Sequence, residues 1–343
     1  MPKERSEWRS IADRYWERLV ELDPVLGTQV GDERFDDRLP DPTEAGLAQR
    51  ENTHRDALAS LEGLDRSSLL VNERTTLDIL EAIARRELDD VAYRFDRFRA
   101  ASHLSGPGTL LAAMASLQRA DTPDRLDRYV GRLSAFPAYL DAMAQILDEG
   151  AECGQTVPAV VAERSVAQVE RLLALEATES PAMAPVAEGS DHDRSRVIEV
   201  FDDRVRPALW RFLDALERYC ARARPTLGLT ALPNGDAMYA AQIRAWTSLG
   251  LDPTVIHEIG VGDLERIDGE RAAIARALGH RDAAEAVTSL NAQGRNIPAS
   301  KEELLQRAEE QVRRSWEAAP RFFGRVPARN CEVRPVEPFR EKD

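Results

Sequence analysis

Apolar residues return at helical spacing along most of this chain, and that spacing constrains the fold more than any single residue does. Trp8, Ile11, Tyr15, Leu19 and Leu22 line one stripe of a helix expected over 4–22, because positions three and four apart share a helical face. Similar patterns run over about 43–62 and 72–98. Another helix follows the break at Gly106-Pro107-Gly108 and reaches Ala120. At Thr122, Pro123 and Asp124 the next one starts, with a capping hydroxyl, a ring that presets φ and a carboxylate at the positive helix end, and it extends to about Gly150. Pro158 restarts the pattern, and a long helix from Asp193 to about Arg222 carries Val197, Phe201, Val205, Leu209, Phe212 and Leu216. A shorter helix follows in DAMYAAQIRAWTSL. Asp252-Pro253 caps the helix that bears His257, whose stripe of Ile256, Ile259, Leu264, Ile267, Ile274 and Leu278 is the expected packing face. Ser300 and Glu303 stand in the S-x-x-E relation of a capping box opening a helix to about Ala319.

Between these patterns, DPVLGTQVGDERFDDRLPDP and TLGLTALPNG read as loops, and the Ala-, Pro-, Ser- and Glu-rich stretch over 177–192 as a flexible surface loop. The tail NCEVRPVEPFREKD alternates enough for a short strand, which Pro335 and Pro338 confine to an edge. With no repeat and no other strand pattern, the expectation is an all-α, mainly helical fold in a single domain over 1–343.

Charge narrows the function classes. Sixty acidic residues against 46 basic ones give a net charge of -14, which opposes nucleic-acid backbones and anionic membranes. Arginine-rich pieces such as RARP at 222–225 are short and interleaved with acids, as on a solvated helix face. Cys153, Cys220 and Cys331 are odd in number and widely spaced, which suggests neither a disulfide framework nor a zinc knuckle. The charged start MPKERSEWRSIADRYW lacks an apolar signal core, and no apolar run approaches a membrane span. A cytoplasmic protein is expected.

His257-Glu258 looks like the first half of a zinc-protease helix. In H-E-x-x-H, two imidazoles four residues apart bind zinc and the glutamate activates water. Val261 occupies the fourth position here, so the second ligand is missing. His54, His103, His192, His257 and His280 have no ligand spacing between any pair. Asp191-His192-Asp193 reads as a helix-capping acid pair, and Ser102-His103-Ser105 lacks a nucleophile elbow. Gly106-Pro107-Gly108 lacks the Walker lysine and reads as a tight connector, while Asp89-Asp90 and Asp202-Asp203 read as solvated faces. Tyr239, Arg244, Trp246 and Thr247 stand beside the LPNG turn and could border a pocket, although core packing of Tyr239 and Trp246 is the commoner outcome for such residues.

Several segments together resemble the bacterial family called domain of unknown function 885: residues 22–41, 154–169 and above all 229–267, supported by SKEELL and by FFGRVPARNCEVRPV at 322–336. The resemblance covers essentially the whole chain. It implies a zinc-peptidase-like protein with a helical, zincin-type fold in which long helices wall a cleft around a metal. The family's metal motif, resembling H-E-x-x-P-G-H-H, is expected beyond the EVRPV segment and so beyond Asp343. His257-Glu258 then aligns with a separate I-H-x-x-G segment upstream of that motif, and no catalytic or metal-binding residue carries over. The expectation is the amino-terminal helical half of such a protein, not catalytic alone, with Tyr239, Arg244 and His257 as substrate-binding candidates. Zinc is expected only with the missing half, and the expected partners are that half or a peptide ligand. The alternatives are a noncatalytic helical binding or scaffold protein and a metal-free hydrolase built on Ser102-His103.

Overall fold

A computed structural model describes residues 2–294 and 297–336, with side chains from Glu7 onward. Among the described residues the regular structure is helical throughout, relieved by one isolated bridge between Pro158 and Arg224. The all-α expectation holds. The expected edge strand does not form over 330–336, and its remainder lies outside the described residues. The chain divides into two compact units, Met1–Gly250 and Leu251–Glu341.

The first unit opens with α1 (Pro2–Leu22) and α2 (Pro24–Val30). Asp23 starts α2 by accepting from the N–H groups of Val25 and Leu26, each at 3.1 Å, and Gly31, at φ +85°, ends it. A 3-10 turn follows at Glu33–Phe35, so half of the expected loop over 23–42 is helical. Helices α3 (Glu44–Glu62) and α4 (Val71–Ala92) pack with α1, burying Trp8, Ile11, Leu61, Leu69 and Leu77, and beside them Tyr15, Ala57 and Ala84. The single helix expected over 72–98 breaks at Arg94, whose backbone is left-handed at φ +53°. Its guanidinium is anchored by Asp96, Glu44 and Glu149, and a short α5 (Asp96–Ala100) follows.

Next come α6 (Pro107–Leu117), the 30-residue α7 (Pro123–Glu152) and α8 (Ala159–Leu173). Thr122 caps α7 as its sequence requires, its hydroxyl accepting from the Arg125 N–H at 3.3 Å. A long helical stretch then runs through α9 (Asp191–Val200) and α10 (Arg206–Cys220), joined by a π-helical turn at Phe201–Val205. Pro207 accounts for that turn: it lacks an N–H and its ring crowds the preceding carbonyls, so the ladder must widen there. Leu133, Phe136 and Leu140 of α7 pack with Leu172 of α8 and Phe212 and Leu216 of α10 to form the main core. Each such side chain contributes roughly 1.5–3 kcal/mol when fully buried.

The stretch expected as a flexible loop over 177–192 is instead two 3-10 turns, Ala177–Glu179 and Pro181–Val186, followed by the start of α9. Ala182, Met183 and Val186 are buried in the main core, and the Tyr129 hydroxyl donates to the Ala182 carbonyl at 2.7 Å. The apolar residues hidden among its alanines and prolines pin it down. The unit closes with α11 (Gly235–Thr247). A methyl group at Gly235 would overlap the Leu229 carbonyl, which makes glycine the only residue that fits this helix start.

The second unit holds α12 (Pro253–Ala277), α13 (Ala283–Ala292) and α14 (Lys301–Ala318). Their caps follow the sequence: Asp252 accepts from Thr254 N–H at 2.8 Å and Ser300 from Glu303 N–H at 3.2 Å. The expected packing face does not pack. Ile259, Leu264, Ile274 and Leu278 are all exposed, Leu264 at 62%, and the buried side chains of these helices are only Ala275 and Ala286 among the described residues.

Candidate functional site

Arg50 and His54 lie one turn apart on α3, and Arg86, Glu87 and Asp90 share a face of α4 opposite them. Arg50 bridges both carboxylates, 2.5 Å from Glu87 and 3.5 Å from Asp90. Arg86 adds a contact to the other Glu87 oxygen at 2.9 Å. From α5, Arg99 clasps Asp90 with two nitrogens at 2.5 and 2.6 Å, the paired geometry that suits a guanidinium and a carboxylate. The Ser102–Gly106 turn lies beside them, with no room for a side chain at Gly106, where one would overlap the Ser102 carbonyl.

This network forms a wall between two cavities of the first unit. One, of about 530 Å³, reaches toward α8 and α11 and is bordered by Phe95, Phe98, Val161 and Trp246. The other, of about 730 Å³, extends toward α1, α2 and α7 past Trp16, His54 and Tyr139. Arg86, Glu87, Arg99 and Ser105 line both.

Burial sets the protonation states. His54 is 1% exposed, and burial depresses its pKa to about 4 against the opposing pull of Glu87. The ring is therefore neutral near pH 7. Tyr15, whose pKa is raised first by burial and then by Glu87, keeps its proton and contacts Nδ1 at 2.8 Å. The tautomer protonated on Nε2 leaves Nδ1 to accept from the Tyr15 hydroxyl and turns its N–H toward Glu87, 4.0 Å away. Burial works against the Glu87 carboxylate as well, but Arg50 and Arg86 outweigh it and hold its pKa below the ordinary value. The same balance, won by the Asp90 hydrogen bonds, raises that of Arg99.

The residues singled out in the sequence fall elsewhere. Tyr239 and Arg244 share α11, where Tyr239 is 39% exposed and Arg244 pairs with Asp89 at 2.9 Å. The α11 residues that line the 530 Å³ cavity are instead Ala241, Gln242, Ala245 and Trp246. Trp246 is 84% exposed, so neither aromatic residue of this helix is a core residue. His257 belongs to the second unit, where its side chain is exposed on α12. Ser102 is a turn residue whose hydroxyl accepts from the N–H groups of Leu104 and Ser105, each at 3.2 Å. The Asp193 carboxylate caps α9 together with Ser190, as its sequence suggests. Among the described residues no three His, Cys, Asp or Glu side chains gather closely enough to hold a metal ion. The donor set that zinc requires is therefore not met by these residues.

The residues of the charged wall carried a weak signal. Arg50 with His54 and Arg86 with Asp90 are ordinary one-turn spacings, shared with solvated pairs such as Glu51–Arg55 and Glu81–Arg85. Only the packing of α3 on α4 and the αL break at Arg94 turn them toward one another.

A cleft walled by long helices is what this architecture presents, and the sequence places it in a family. Residues 24–343 match the family described as bacterial protein of unknown function (DUF885), and the chain belongs to that family. Of solved structures, a "putative lipoprotein" from Colwellia psychrerythraea is similar over 95% of this chain and 61% of its own, with a TM-score of 0.81 and 17% identity. A second "putative lipoprotein", of unknown function, from Shewanella oneidensis matches 92% of this chain and 57% of its own, with a TM-score of 0.64 and 17% identity. The chain thus spans about three fifths of the length of these structures, and at such identity the likeness is one of fold. No curated protein is significantly similar in sequence. No helix among the described residues is long and apolar enough to cross a membrane.

Proposed function

We propose that this chain supplies the helical wall and ligand cleft of a larger, peptidase-like protein and does not hydrolyse peptides alone. The observation that carries the reading is the set of exposed apolar side chains on α12, Ile259, Leu264, Ile274 and Leu278, with Phe322 and Phe323 beyond α14 exposed as well. Large apolar side chains that recur along one helix without burial are what a covering partner explains. Further polypeptide packed on the second unit accounts for it, and the same polypeptide would bring the zinc ligands that the described residues lack. The peptidase chemistry itself rests on the family resemblance and on the cleft, which suits an extended ligand in size.

The test is an assay of the purified chain against a mixture of peptides, with and without added zinc. No hydrolysis is expected, together with binding of an apolar dye that Leu264→Glu and Ile274→Glu reduce. Zinc-dependent cleavage by the chain alone would overturn the reading. One observation favours a second reading, a noncatalytic helical binding protein: the core of the first unit is complete, with Tyr129, Leu133, Phe136 and Leu216 fully buried. On that reading the chain binds no apolar dye and stays monomeric.

A further inference from the structure

The wall between the two cavities holds three guanidinium groups, Arg50, Arg86 and Arg99, against two carboxylates, Glu87 and Asp90. Of the other carboxylates bordering these cavities, Asp96 also acts on Arg99, and each has a further partner of its own. Asp89 pairs with Arg244 at 2.9 Å, Asp96 with Arg94 at 3.1 Å and Glu21 with Arg18 at 2.9 Å. Asp23 and Asp41 accept from backbone N–H groups at the far edge of the larger cavity.

Arg86 is the guanidinium of the wall least taken up by carboxylates. Arg50 bridges two carboxylates and Arg99 spends two nitrogens on Asp90, whereas Arg86 reaches Glu87 through one nitrogen and its side chain is 51% exposed. It borders both cavities. In the smaller one, Phe98, Val161 and Trp246 supply an apolar surface alongside that cationic head. A concave place with one partly engaged guanidinium and an apolar flank fits a ligand with one carboxylate and an apolar body, because an arginine fork pairs with carboxylate oxygens and aromatic walls take the rest.

We infer that this wall recognises an organic carboxylate, with its anionic head on Arg86 and its apolar body in the 530 Å³ cavity. The inference rests on the cleft being a ligand site, as proposed above, and it adds the chemistry of the ligand. Two sources share that chemistry, the free carboxyl end of a peptide and a small aromatic acid.

Calorimetric titration of the full chain with acetyl-Ala-Ala-Phe, its carboxyl-terminal amide and 3-phenylpropanoate tests it. The expected result is that the peptide acid binds about tenfold or more tightly than the amide, as a charge-assisted pair requires. Arg86→Gln should erase that preference while leaving amide binding and the far-ultraviolet circular dichroism spectrum unchanged, and Arg86→Lys should restore part of it. Binding of phenylpropanoate as tight as that of the peptide acid assigns the site to aromatic acids at large, and its absence assigns it to peptide ends. Equal binding of acid and amide, or a preference that survives Arg86→Gln, overturns the carboxylate assignment and leaves the cleft standing. If none of the three binds, the carboxylate inference and the cleft's role as a ligand site fall together, whereas the hydrolysis and dye measurements test the partial, noncatalytic character of the chain independently.

Discussion

His54 shows how burial converts one side chain into a pH-dependent term. In the folded chain its pKa lies at about 4, against an ordinary 6.5, mainly because burial penalises the charged ring. The unfolded chain therefore binds more protons than the folded one between these values, and stability rises with pH across that window. The contribution is fully present above about pH 6.5 and is lost as pH falls toward about 4, a difference of about 3 kcal/mol. Arg50, Arg86, Glu87 and Asp90 surround the ring, and of these Glu87, with a depressed pKa, also loses stability on acidification, but below its ordinary 4.5. His54→Gln keeps an acceptor for the Tyr15 hydroxyl and removes the titration. Urea unfolding at successive pH values should thus show the wild type losing more stability than the variant between pH 6.5 and 4. Parallel profiles would mean that the ring is not buried in neutral form.

At the scale of elements, α2 and the following turn depend on a residue far along the chain. Arg132 of α7 is fully buried and donates to the Thr28 hydroxyl at 2.9 Å, the Phe35 carbonyl at 2.8 Å and the Gln118 side chain at 2.8 Å, with Asp36 3.4 Å away. Arg132→Met would leave Asp36 and these acceptors buried without their cation, which costs about 3–5 kcal/mol for a broken buried pair. Hydrogen exchange should show the amides of α2 and the 33–35 turn losing protection first, and undisturbed protection there would refute the anchoring role. This dependence also explains what a reading of the sequence can reach. Asp252-Pro253 and Asp23-Pro24 are the same helix start, but the glycines and acids after Pro24 argue for a loop, and the residue that decides otherwise lies 104 positions from Thr28. Caps such as Thr122 and Ser300 were legible because a cap is local. The charged wall was not, because its members are separately unremarkable and meet only through the packing of α3, α4 and α5.

For the molecule as a whole, the contrast between the two units carries a thermodynamic consequence. The first unit buries large side chains from α6, α7, α8, α9 and α10 in its main core, whereas α12–α14 bury only Ala275 and Ala286 among the described residues. What supports the latter helices is local: their caps, and pairs one turn apart such as Arg266–Glu270 at 2.8 Å and Arg313–Glu317 at 2.5 Å. Exposed pairs of this kind contribute about 0.3–0.5 kcal/mol each and are screened by salt. Isolated helices held in this way are marginal in water. The chain should therefore melt in two stages by far-ultraviolet circular dichroism, with a broad early loss of helix from 251–318 that higher salt enlarges, then a sharp transition of the first unit. Hydrogen exchange should find the α12 amides poorly protected while those of α7 and α10 remain closed. A single sharp transition with α12 protected as well as α7 would show that the apolar side chains of α12 are already covered, for example by association of two copies, and a dependence of that transition on protein concentration would identify the cover as self-association.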